Sequence, residues 1–206
     1  MTRIAVVLGS TRPGRRGAVV AKWVEEVAGR HSVAKSGDVT FELVDLAEYG
    51  LPLLDEPAPA MFGQYAHAHT VRWAETIASF DGFVFVTPEY NHSIPAALKN
   101  AIDFLFSEWN DKAAGFVSYG VHGGTRAVEH LRLAMGELKV ADVRTQVALS
   151  LFTDFEIADP AEHGMFAPGP HQELTLNELL DEVIAWSQAL KPLRGAAANA
   201  VQTVEA

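Results

Sequence analysis

Two periods of hydrophobicity alternate along this chain. Short runs of apolar and β-branched residues, the pattern of buried strands, occupy 3–9, 39–45, 82–87, 113–119 and 142–149. Between and after them, apolar residues recur at the three- and four-residue spacing of a helix face. Val19, Val20, Trp23, Val24 and Val27 share such a face in 17–30, as do Val71, Ala74, Ile77 and Ala78 in 66–79. Ala97, Leu98, Ala101, Ile102 and Leu105 do so in 95–107, and Leu131, Met135 and Leu138 in 124–139. A last amphipathic stretch covers 172–190. Strands alternating with helices predict an α/β fold on a doubly wound, five-stranded parallel sheet. Right-handed crossovers place helices on both faces. The expected strand order is 2-1-3-4-5, which brings the loops after strands one, three and four to one edge.

Two stretches break the pattern. Residues 50–63 carry Pro52, Pro57 and Pro59, and residues 152–171 carry Pro160, Gly164, Pro168, Gly169 and Pro170. Loops of this length serve as lids, partner surfaces or mobile segments. The expectation is a single domain over 1–190, with 191–206 a flexible tail rich in small residues. A length of 206 residues suffices for one α/β domain with a full core.

Composition narrows the chemistry. The chain has no cysteine, which excludes disulfides, thiol catalysis and cysteine-held metals. Any redox chemistry therefore belongs to a bound cofactor. A net charge of −10 argues against nucleic-acid binding. Against that balance, Arg12, Arg15, Arg16 and Lys22 cluster at the first strand–helix junction. They suit an anionic ligand, although a solvated basic turn has the same look. No apolar run approaches the roughly 18 residues of a membrane span. The chain enters a strand pattern directly after Met1-Thr2-Arg3, so no leader, no membrane association and a cytoplasmic setting are expected.

The three loops at the expected ligand edge carry the candidate chemistry. The first, Gly9-Ser10-Thr11-Arg12-Pro13-Gly14, has the glycine spacing of a nucleoside-triphosphate loop. It continues into Arg15-Arg16 where that loop needs Lys-Ser or Lys-Thr, which argues against ATP hydrolysis. What remains is a polar turn opening a helix, whose amides and positive end favour a phosphate monoester. Ser10 and Thr11 can donate there and Arg12 can clamp; a plain turn with a capping serine is the bland alternative. In the second loop, Pro88-Glu89-Tyr90-Asn91 follows a strand, and the amides of Glu89, Tyr90 and Asn91 can face a ligand. Tyr90 can cover a ring, or be an ordinary half-buried loop aromatic. The third, Ser118 to Gly124, has glycines at 120, 123 and 124, which let backbone approach a flat ligand. Thr125 is the expected N-cap of the helix that follows. The positive end of that helix is expected to point into the site.

Other constellations are weaker. His67-x-His69 has no third ligand in sight, and no metal site is expected. His92 and His122 sit beside the proposed ring, where they can tune access or donate a proton, or simply face solvent at the rim. Ser10 is not in a G-x-S-x-G elbow. No catalytic side chain is expected, with Tyr90 and His122 at most lining the rim.

Taken together, Gly9-Ser10-Thr11-Arg12, Pro88-Glu89-Tyr90-Asn91, Ser93-Ile94-Pro95, Leu98-Lys99-Asn100-Ala101-Ile102-Asp103 and Gly123-Gly124 resemble the NADPH-dependent FMN reductase family. The likeness runs over roughly residues 3–150 and implies a flavodoxin-like fold. It implies that Ser10, Arg12 and the amides through Gly17 hold the FMN phosphate. Pro88, Glu89, Tyr90 and Asn91 would line the isoalloxazine, and Ser118, Gly120, Gly123 and Gly124 its pyrimidine side. Many members carry a serine late in the phosphate loop, where this chain has Arg15-Arg16-Gly17. Arg15 or Arg16 either replaces that contact or serves the NADPH phosphate. The resemblance also implies a homodimer or homotetramer, with helix 95–107 and the long loops as the candidate surface.

The function implied is an NAD(P)H-dependent FMN oxidoreductase: hydride passes from NADPH or NADH to flavin N5, then electrons pass to a small-molecule acceptor. Free flavin, quinone, azo compound and oxyanion are all candidates for that acceptor. A flavodoxin-like FMN electron carrier without pyridine-nucleotide activity is the reading from another class. A fold retained without flavin is a third.

Overall fold

The structure is a computed structural model describing residues 1–159 and 164–204, with side-chain detail in its last helix through Arg194. Pro160 of the second irregular stretch lies outside the described residues. Five parallel strands form the sheet: β1 (Thr2–Leu8), β2 (Val39–Asp45), β3 (Gly82–Pro88), β4 (Lys112–Gly120) and β5 (Val140–Ser150). Their order is β2-β1-β3-β4-β5, the flavodoxin-like order expected. The helices are α1 (Gly17–Arg30), α2 (Ser32–Lys35), α3 (Ala68–Ala78), α4 (Ala96–Asp103), α5 (Thr125–Glu137) and α6 (Pro170–Val204).

Side-chain alternation splits the core into two layers. On β3, Phe83 and Phe85 face α3, α4 and α5, where they meet Trp73, Trp109, Leu98 and Leu131. Val84 and Val86 face the other way, onto Val20, Val24, Leu179 and Val183 of α1 and α6. Every residue of β3 and β4 is buried, because helices cover both faces. Each large side chain so enclosed contributes about 1.5–3 kcal/mol. The sheet is therefore a rigid base from which its terminal loops are held.

Four local expectations need correction. Val19 and Val71 are exposed, and Trp73 is buried in their stead. The buried faces are Val20-Val24-Val27 and Thr70-Trp73-Ala74-Ile77, whose three- and four-residue steps leave Val19 and Val71 about a quarter-turn away. Residues 152–171 hold a small antiparallel hairpin, β6 (Phe155–Glu156) with β7 (Met165–Phe166). Its aromatic pair, Phe155 and Phe166, packs on Tyr119 and Trp23 respectively. Finally, α6 does not stop at 190 but passes through Pro192, and its backbone is helical to Val204. Lys191 and Arg194, on either side of that proline, both pair with Asp81. They anchor the helix where the proline has removed a backbone hydrogen bond.

Candidate active site

All five strands end at one edge of the sheet, and β1, β3 and β4 are adjacent there. Their loops must therefore meet. Gly9 N donates to Val86 O at 2.9 Å, which ties the first loop to the third strand. Ser10 is fully buried, and its Oγ lies 3.1 Å from Tyr90 Oη, joining the first and second loops. Arg15 pairs with Asp45 at the end of β2, so the protein itself engages this cation. The exposed guanidinium of Arg12 donates to Gly14 O at 3.0 Å. Arg12 and Arg16 line a cleft whose other walls are Pro88, Glu89, Tyr90, Tyr119, Gly120 and Leu151.

The second loop is a tight hairpin. Tyr90 N donates to Ser93 O at 2.9 Å and Ser93 N to Tyr90 O at 3.0 Å. Between them Asn91 and His92 have φ of 50° and 69°. Two consecutive left-handed residues make a type I′ turn. Asparagine accepts that conformation readily; His92 is held in it at a strain of order 1–3 kcal/mol. Of the three amides expected to face a ligand, Glu89 N instead donates to Tyr119 O at 3.0 Å and Tyr90 N to Ser93 O. Among the described residues, only the Asn91 amide of these three has no protein acceptor. His92 and His122 stand exposed at the rim.

The third loop lies flat on the end of β4. Gly123 and Gly124 both have φ of 72°, and a Cβ on Gly124 would sit 2.8 Å from Ser118 Cβ. Ser118 is buried; its Oγ donates to Gly123 O at 2.6 Å and accepts from Gln146 Nε2 at 3.0 Å. Its hydroxyl braces the loop from behind, and Gly120 is the member of this loop that reaches the cleft wall.

Helix α5 begins at Thr125 itself, with Gly124 as its N-cap, because the double left-handed turn already points Thr125 into the helix. The capping oxygen comes from the second loop. Glu89 accepts from Arg126 N at 3.1 Å and from Arg126 Nε at 2.7 Å. Burial pushes this carboxyl up, but the hydrogen bonds and charge of Arg126 outweigh it and hold Glu89 below its usual range. The positive end of α5 is thus answered by Glu89 rather than open to a ligand. Glu89 fixes the second loop against the third.

Sequence reasoning passed over Tyr119. On β4 it shares the face of Val117 towards α1, and its ring reaches the start of that helix. A tyrosine at the last inward position of a central strand, beside the ligand edge, was the available signal. Leu151 and Arg126 carried no such signal, since only the fold brings them to the three loops. The two histidines of His67-x-His69 lie instead against Asp55, with His69 Nε2 at 3.0 Å from its Oδ1. Among the described residues no group of three metal-capable side chains occurs.

The cleft is cationic at one end, where Arg12 and Arg16 lie. At the other it is built from Pro88, Gly120 and the Tyr90 ring. That donor set fits a molecule with an anionic end and a flat end, as FMN has. Acid–base side chains are few, and the carboxylate present is held by Arg126.

Comparison with known proteins follows the same line. The sequence model of the NADPH-dependent FMN reductase family matches residues 2–154. The chain is 41% identical over 164 residues to an NAD(P)H-dependent FMN reductase of Schizosaccharomyces pombe, covering 77% of this chain and 80% of that one. It is 35% identical over 136 residues to a quinone reductase of Escherichia coli, covering 63% of this chain and 67% of that one. Among solved structures, the flavoenzyme NAD(P)H:(acceptor) oxidoreductase FerB of Paracoccus denitrificans superposes with a TM-score of 0.68 over 92% of this chain and 98% of that one. At 21% identity that last likeness concerns the fold.

Proposed function

The chain belongs to the NADPH-dependent FMN reductase family, and from that premise we propose that it is an NAD(P)H-dependent FMN oxidoreductase acting on a small-molecule acceptor. The observation that carries the reading is the cleft itself, with two guanidiniums at one end and loop backbone beside Tyr90 at the other. Bound FMN supplies the redox step, taking hydride from NADPH or NADH and passing electrons on. The residues of the chain bind and orient. Ser10, Arg12, Arg16 and the amides through Gly17 take the phosphate end. Pro88, Tyr90, the Asn91 amide and the backbone of Gly120, Gly123 and Gly124 flank the ring end. Glu89 and Ser118 hold these loops in register, through Arg126 and Gly123 respectively. The rigid placement of two rings is what this chemistry asks of a protein.

Quinones are the favoured acceptor class, in keeping with the quinone reductases among the relatives. The open side of the site suits a flat apolar molecule, being lined by Val121, Leu151, Phe152, Phe155 and Ile157. No helix among the described residues is long and apolar enough to cross a membrane. The reading places the chain in the cytoplasm as one domain, assembled as a homodimer or homotetramer. Exposed Met61 and Phe62 beside the apolar groove between α4 and α5 support that assembly.

The test is the visible spectrum of the purified protein, with and without added FMN, followed by anaerobic NADPH and then NADH. A flavin band that bleaches within seconds is expected. A protein that takes up no FMN on titration, or that stays yellow with both donors, overturns the reading.

A further inference from the structure

Tyr119 is 5% exposed; its hydroxyl oxygen is buried against the Gly17 amide, and its proton has no acceptor among the described residues. A buried hydroxyl left unmatched is destabilising by about 1–3 kcal/mol. Such an atom persists where something outside the chain satisfies it. Its surroundings say what that is. The ring stands between β4 and the first turn of α1, and Gly17, the first residue of that helix, faces the oxygen. A Cβ at Gly17 would lie 2.6 Å from Tyr119 Oη, so the hydroxyl reaches the helix only because residue 17 has no side chain. Tyr119 also lines the cleft with Arg12, Arg16 and Tyr90. A hydroxyl donor, Arg12, Arg16 and the positive end of a fourteen-residue helix therefore border one cleft.

We propose that the Tyr119 hydroxyl donates a hydrogen bond to the phosphate of the bound flavin nucleotide, and that Gly17 is the position that admits it. This rests on the FMN reading above and extends it to a residue of β4, outside the phosphate loop. The tyrosine supplies a neutral hydroxyl donor late in the phosphate site, where the loop itself has Arg15-Arg16-Gly17. Burial, with Tyr90 adding to it, raises the hydroxyl's pKa; the Gly17 amide and the charges of Arg12 and Arg15 act the other way without reversing the shift, so it remains a donor across the working pH range.

The experiment separates phosphate from ring. Apoprotein of the wild type and of Tyr119→Phe is titrated with FMN and with riboflavin, which lacks the phosphate, following flavin fluorescence. The variant is expected to bind FMN about tenfold more weakly, the usual loss for a hydrogen bond to a charged group. Its riboflavin affinity is expected to stay within about twofold, since no phosphate contact is at stake. An FMN affinity within twofold of wild type, or an equal loss for both ligands, overturns the proposal while leaving the FMN reading intact. Wild-type apoprotein that binds neither flavin overturns both. If Tyr119→Phe folds poorly, wild-type protein with ring-labelled tyrosine carries the same question. Its Tyr119 resonance is expected to shift more with FMN than with riboflavin, and equal shifts overturn the assignment.

Discussion

The two ends of the sheet are built from the same kinds of residue and use them oppositely. At the N-terminal end, Asp81 accepts from Arg3 N at 2.9 Å and from Lys191 Nζ at 2.9 Å, and pairs with Arg194. Buried Lys112 donates to Ile77 O at 2.7 Å, closing the last turn of α3, and lies over the Phe83 ring. There the polar groups answer one another. At the C-terminal end, the Tyr119 hydroxyl proton and the exposed Asn91 amide have no acceptor among the described residues, and Asn91 and His92 are held in left-handed backbone. Neither strain nor unmatched groups belong to one end alone: Asp111 and Lys139, just before β4 and β5, are also left-handed, and Ser187 Oγ is buried without a partner against Gly82 at the start of β3. What sets the C-terminal end apart is that its unmatched hydroxyl lines a cleft shared with Arg12 and Arg16.

This contrast can be broken. Asp81→Ala has the largest expected effect, because it strands Lys191, Arg194 and the Arg3 amide together. A loss of about 2–4 kcal/mol is expected in urea unfolding, with FMN affinity of the folded protein unchanged. Equal damage to stability and FMN binding would mean that the two ends are coupled. Arg12→Ala is the converse. Among the described residues its guanidinium has one hydrogen-bond partner, Gly14 O, so stability should hold. FMN should bind about ten- to a hundredfold more weakly, measured by fluorescence titration.

Glu89→Gln sharpens the comparison, because Glu89 is the paired carboxylate that lines the cleft. It leaves the shape and removes the charge facing Arg126. A stability loss of about 1 kcal/mol is expected, together with a several-fold fall in turnover as the second and third loops loosen. The native depression of the Glu89 pKa sets the pH sense. Its contribution is present above the ordinary carboxylate range and is lost as pH falls through the lowered value. The variant should therefore lose less stability than wild type on acidification.

Lys112 has the smallest expected effect, with the same sign in a higher pH window. Burial brings its pKa down to about 7, so between there and 10.5 the unfolded chain holds the extra proton. Stability should rise as pH climbs through that window. Lys112→Met should flatten the slope of urea midpoint against pH between about 7 and 9. An unchanged slope would show that this amine remains charged in the fold.

Much of the architecture was legible because hydrophobic periodicity reports directly on burial. The unbroken apolar run at 82–87 is a central strand, and 17–30 is α1 at both ends. The helix face was misread at Val19 and Val71, where a valine one step off the buried stripe looks the same in one dimension. The stop expected near 190 followed from Pro192 and the small residues beyond. Asp81, more than a hundred positions away, gives that segment its anchors. The loop motifs pointed to the edge where β1, β3 and β4 end side by side, but not to which of their polar atoms find partners within the chain.

Local pattern thus determined by itself the class of each element, the parallel sheet and the three loops that meet at its edge. Those properties depend on neighbours in sequence. Three matters were decided by tertiary structure alone. Glu89 caps α5 from another loop, Ser118 turns away to accept from Gln146, and the Tyr119 hydroxyl meets the Gly17 amide with no acceptor for its own proton among the described residues. Each concerns whether a polar atom has a partner. Partners here come from strands and loops tens of residues apart, so only the folded chain assigns them.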